Sequence, residues 1–226
     1  MLYLHRLCQN IEMVETTHNE ISDQLKKDHP MSYKGILYSY SWDDIKESKP
    51  FIISLSFSIL LFILSFFSKK ELLDIINFWT NQILTIFPNL LGFNLGGYAL
   101  IIGFGNTELV QSLTQKKPEK KTSVFQKLSG IFGFTLLLQS ITFSISFIFN
   151  FIIELGFETS NKMIYVGTNS IAILILSFLG LWGLLILPSL IVNVFTFGQM
   201  HHLYLTKKRL IEKMDKEKEE IKKQEI

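Results

Sequence analysis

A single cysteine, Cys8, is all the chain offers for sulfur chemistry, so no intrachain disulfide framework and no cysteine-based zinc site can be built from it. Charge is missing from four long windows, residues 51–67, 75–107, 128–153 and 163–206, although the whole chain holds 22 Lys and Arg against 20 Asp and Glu. Proton relays, ion-coupled transporters and voltage sensors place charged residues inside the membrane, so these classes lose weight. The sequence also lacks HExxH, a nucleophile elbow and a glycine-rich phosphate loop, and it reads as a non-enzyme without cofactor or metal. The adjacent His201 and His202 point about 100° apart on a helix and make a poor metal pair. What is abundant is apolar: 48% hydrophobic residues, with 20 phenylalanines among 226 residues. A mean hydropathy of +0.29 is excessive for a soluble fold of this size.

About 20 apolar residues cross the roughly 30 Å hydrocarbon core, and the windows predict an all-α integral membrane protein with four transmembrane helices. The first window has 17 residues, just long enough if its flanks continue it. The second crossing is expected near residues 82–104, with residues 72–79 as a separate short interfacial helix or re-entrant piece. The third spans 128–153, and the fourth lies near 169–197 with Pro188 as a kink. Nineteen of the 22 Lys and Arg residues lie before span one, between spans two and three, and after span four. The positive-inside rule then places both termini in the cytosol of a bacterial inner membrane. Glu12, Glu15, Glu20 and Asp23 stand where a signal peptide would need its apolar core.

Three parts follow: a cytosolic N-terminal helix and aromatic linker over 1–50, a transmembrane domain over 51–197, and a charged helical tail over 198–226. Leu4, Leu7, Ile11, Val14, His18, Ile21 and Leu25 recur at spacings of 3 and 4, a heptad stripe on an amphipathic helix. The stripe packs either on the spans and loops or as a seam with another subunit or a partner protein. Residues 31–42, rich in aromatics, read as a linker, and Ser41 with Asp44 as a capping-box-like start to the helix after it. The lysines at 116–121 suit anionic headgroups; no direct nucleic-acid binding is expected.

Within the spans two patterns stand out. Gly92 and Gly96 form a GxxxG whose smooth face lets helix backbones approach, or else hinges a gating helix; Asn94, off that face, needs a partner of its own. In span three Thr135, Gln139, Thr142, Ser146 and Asn150 fall within about 80° of one another at helical spacing. Gln139 and Asn150 cannot satisfy themselves cheaply in lipid, so the stripe either bonds between helices or lines an aqueous path. Ser54, Ser58 and Ser65 in span one, and Ser189, Asn193 and Thr196 in span four, are the faces expected to meet it.

Four spans with both ends cytosolic, and a Pro-Asn-Leu-Leu-Gly-Phe run at residues 88–93 opening a glycine-rich second span, resemble small membrane proteins of bacterial immunity loci, nearest the membrane subunit of Kiwa-type antiphage systems. The resemblance covers the plan of the chain and implies a membrane-bound sensor or effector working with a cytosolic subunit. The expected function is therefore a homo-oligomeric membrane sensor, scaffold or permeabilising effector of a defence or stress system. A stand-alone passive channel or small-solute carrier is the alternative.

Overall fold

The computed structural model describes residues 30, 32–103, 107–115, 121–156 and 161–224. The heptad stripe from Leu4 to Leu25 and the lysines from Lys116 to Lys120 lie outside the described residues. Every described element is a helix: α1 Ser32–Ser39, α2 Trp42–Lys46, α3 Lys49–Ser65, α4 Leu72–Gly103, α5 Thr107–Thr114, α6 Val124–Glu154, α7 Lys162–Leu185 and α8 Leu187–Gln224. Three of the resulting rods are long and apolar enough to cross a membrane: α4, α6, and α7 continued by α8. The apolar α3, with 17 residues, is shorter.

Small polar residues fix where the helices begin. Ser41 accepts a hydrogen bond from the Asp44 amide while the Asp44 carboxylate accepts from the Ser41 amide, a reciprocal capping box that opens α2. Ser48 caps α3, with Pro50 in its first turn. Ser123 caps α6 through the Gln126 amide, and Asn161 caps α7 through the amides of Met163 and Ile164. Each cap satisfies amides that have no acceptor inside their own helix. At the far end of α6 the chain turns through Gly156, whose φ of +64° suits a residue without a Cβ.

The α4 helix departs from expectation. Residues 72–79 and the span after them form one rod of 32 residues, with Pro88 inside it. Ile76, Thr80, Ile83 and Phe87 are all buried at spacings of 4, 3 and 4, and the hydrophobic ones share a core with Ala172, Ile173 and Leu176 of α7. That stripe runs straight across the boundary expected near residue 80, and only an unbroken helix keeps it on one face. Beside Pro188, where a kink is expected, the helix is interrupted at Ile186: α7 ends at Leu185 and α8 starts at Leu187.

The aromatic linker is likewise helical over Ser32–Ser39. α1 lies against α6, where Gly130 allows near-backbone contact: a Cβ there would stand 2.6 Å from Ser39 Cβ and 3.0 Å from the Tyr40 nitrogen. One turn on, a Cβ at Gly133 would meet the Ile36 side chain at 3.2 Å. Tyr40 then packs on Phe134 with ring centroids 5.5 Å apart, and Phe134 on Trp182 at the same separation. Phe51 closes the cluster edge-on to Trp182 at 5.1 Å, a favoured aromatic geometry.

The starts of α2 and α6 lie at one end of the bundle, joined by an ion pair between Lys127 and Asp44 at 2.9 Å. At the opposite end the α3–α4 turn gathers beside Tyr165 of α7, and Gly156 lies beside Ile164. In chain order α3, α4, α6 and the α7–α8 rod therefore alternate in direction. α6 is the hub, packing on α1, α4, α5, α7 and α8, while α3 packs chiefly on α7.

Candidate functional site

The centre of the bundle is polar. Thr135, Gln139, Thr142 and Ser146 on α6 are all fully buried, at 0% exposure, because residues spaced by 3 and 4 share one helix face and that face points inward. Asn150, one turn nearer the end, is half-buried. Thr135 and Thr142 donate to the carbonyls of Ile131 and Leu138, each at 2.8 Å, so their hydroxyls are satisfied on their own helix.

Gln139 instead reaches across helices. Its Oε1 accepts from Asn94 Nδ2 of α4 at 2.7 Å, and its Nε2 donates to the Gly183 carbonyl of α7 at 3.1 Å. Asn94 is 1% exposed. Gly183 lies in the last turn of α7, where Pro188 and the helix break leave carbonyls without their usual amide donors. A side chain at 183 would collide with the Phe87 ring, at 2.7 Å from its Cβ. Gln139 thus ties together the three helices long enough to span a bilayer, at the position where one of them is interrupted. Asn94 Oδ1, Ser146 Oγ, Ser170 Oγ and Trp182 Nε1 are buried without a hydrogen-bond partner among the described residues.

The helices that meet at this layer differ in part from the expected ones. Ser54, Ser58 and Ser65 are buried on α3 but bond their own backbone at 2.7–2.9 Å, and their helix faces α7. Ser189 and Thr196 of α8 are exposed and Asn193 is half-buried, so this face does not meet the α6 stripe; α8 instead turns Leu190 and Phe197 toward Leu128 and Phe132 of α6. From α7 it is the Gly183 carbonyl that meets the stripe, through Gln139. Gly92 and Gly96 are exposed, and a Cβ built at either would meet nothing within 4 Å. Their face is not used to pack helices of the same chain, because α4 turns its Asn94 side inward.

At the end holding the ion pair, Asp44 accepts from Lys127 at 2.9 Å and from the Ser41 hydroxyl at 2.8 Å. The Lys127 bond, more than the Ser41 bonds, holds this carboxyl below its ordinary value of 3.8, against a partial burial that raises it. Burial pushes the Tyr40 phenol up. A carboxyl depressed in the folded state stabilises above its unfolded pKa and loses that contribution as pH falls through the folded one. With both side chains a third to a half exposed, the contribution is about 1 kcal/mol or less. Asp44→Asn should lower the melting temperature in detergent at neutral pH, and the gap should close below about pH 4. A gap that persists undiminished in acid would refute the assignment.

Among the described residues His, Cys, Asp and Glu form no group of three that could hold a metal. Asn94 was recognisable in the sequence as needing a partner; Gly183 was not, although its place five residues before a proline marks a helix end with free carbonyls. Compared with protein-family models, with curated proteins and with solved structures, the chain matches none.

Proposed function

We propose that the chain is a homo-oligomeric subunit of the bacterial inner membrane, crossing it four times with both termini in the cytosol. It works with a cytosolic partner in a defence or stress system, as the resemblance to Kiwa-type membrane subunits implies. The observation that carries the reading is the use of Gln139: both ends of its amide are engaged by Asn94 and Gly183 of the same chain. A polar stripe committed to its own helices supports a scaffold or sensor over a permeabilising effector or a conduit through the protomer. The fourth crossing falls to α3, whose 17 residues extend about 26 Å at 1.5 Å per residue, close to the hydrocarbon thickness. The cytosolic assignment rests on the excess of Lys and Arg at that end.

Self-association is assigned to the Gly92 and Gly96 face. Because a Cβ at either position meets nothing inside the protomer, leucine there leaves the single chain undisturbed, and its effect reads contacts between chains alone. Gly92→Leu and Gly96→Leu should each reduce oligomer size in mild detergent with an unchanged melting temperature of the protomer, and alanine should be milder. Unchanged assembly in both leucine variants would mean that the face meets lipid. The pure wild-type protein in liposomes should pass no more ions than empty vesicles; flux from it alone would favour a stand-alone channel or carrier.

A further inference from the structure

A cavity of about 580 Å³ opens between the start of α6 and the middle of α8, lined among others by Lys121, Lys127, Leu128, Ile131, Asn193 and Met200. We propose that this groove is a specific site for an anionic glycerophospholipid, its phosphodiester on the two lysines and an acyl chain along the apolar wall.

The charges fit one phosphodiester. Lys127 donates to Asp44, but an ammonium has three N–H groups and its head is half-exposed. Lys121 stacks its ammonium on Tyr38, 4.6 Å from the ring centroid, a contact that leaves its N–H groups to seek an acceptor. Lys121, Lys127 and Asp44 together carry one net positive charge, matching the single negative charge of the lipid. The N-terminus of α6 adds to it: Ser123 occupies the Gln126 amide, while the Val124 amide, at the first helical position on the groove wall, has no acceptor inside the helix.

Asn193 is the second, independent sign of a ligand. It is half-buried in the groove wall, yet no described residue hydrogen-bonds its side chain; Thr196 beside it is satisfied by the Val192 carbonyl at 2.8 Å. α8 runs antiparallel to α6, and Asn193 precedes Met200 by seven residues, about 10 Å along the axis. It therefore stands deeper than the lysines, at the level where the ester carbonyls of a glycerolipid follow its phosphate. An amide that donates to an ester carbonyl there loses its unpaired state, and basic pockets between spanning helices are known sites for acidic lipid headgroups.

The site requires only that the groove face lipid, whatever the protein's role. It is tested by native mass spectrometry of the full chain, titrated with phosphatidylglycerol or with phosphatidylcholine of the same acyl chains. Phosphatidylglycerol should be retained preferentially, and Lys121→Gln and Asn193→Leu should each reduce its retention about fivefold. Lys162→Gln, an exposed lysine at the opposite end of the bundle, should leave it unchanged. Equal retention of the two lipids, or insensitivity to both groove variants, would overturn the proposal. Displacement of the lipid by inorganic phosphate would overturn it too, since a site for the phosphate alone does not hold the chain.

Discussion

Replacing Gln139 by leucine is expected to loosen the bundle at its centre, lowering stability by about 2 kcal/mol. The change removes both interhelical bonds at once and strands Asn94 Nδ2 and the Gly183 carbonyl where no water competes for them. The stranding explains why a second substitution should help: Asn94→Leu in the Gln139→Leu background removes one abandoned donor. A double-mutant cycle on melting temperature in detergent should therefore show favourable coupling of the pair. Additive losses would mean that the 2.7 Å contact contributes nothing beyond packing.

Gly130→Val should detach the N-terminal helix from the bundle while leaving the spans folded. A Cβ at 130 would fall within 3.0 Å of the backbone of Ser39 and Tyr40, and backbone cannot rotate out of the way as a side-chain tip can. Overpacking of this kind costs about 1–3 kcal/mol, which here opposes only the docking of α1 and the Tyr40 ring. Limited proteolysis should cut near residues 39–41 faster in the variant than in the wild type, with far-ultraviolet circular dichroism nearly unchanged. Equal cleavage rates would show that α1 can shift at no cost.

The sequence revealed what depends on one chain segment at a time. Uncharged length marks α4, α6 and the α7–α8 rod; Pro188 marks the interruption between the latter two; Ser41 and Asp44 mark the start of α2. The inward face of α6 follows from spacing alone, since Thr135, Gln139, Thr142 and Ser146 stack along one side of any helix. Contacts between distant segments were not legible. Asn94 and Gln139 are separated by 45 positions, and no local pattern says which polar group meets which. The continuity of α4 was hidden for a related reason: the stripe from Ile76 to Phe87, which carries the helix across the expected boundary near residue 80, is defined by its packing on α7. Gly130 and Gly133 look like ordinary small residues until α1 is laid across them.

The uninterrupted α8 has a mechanical consequence. From Leu187 to Gln224 it is one rod of 38 residues, about 57 Å long, whose near end adjoins the joint at Ile186 and the Gly183 carbonyl gripped by Gln139. A swing of only about 5° at that joint carries the far end through about 5 Å, given the length of the rod. Small adjustments in the middle of the bundle are thus geared up into displacements at the tail comparable to one turn of helix.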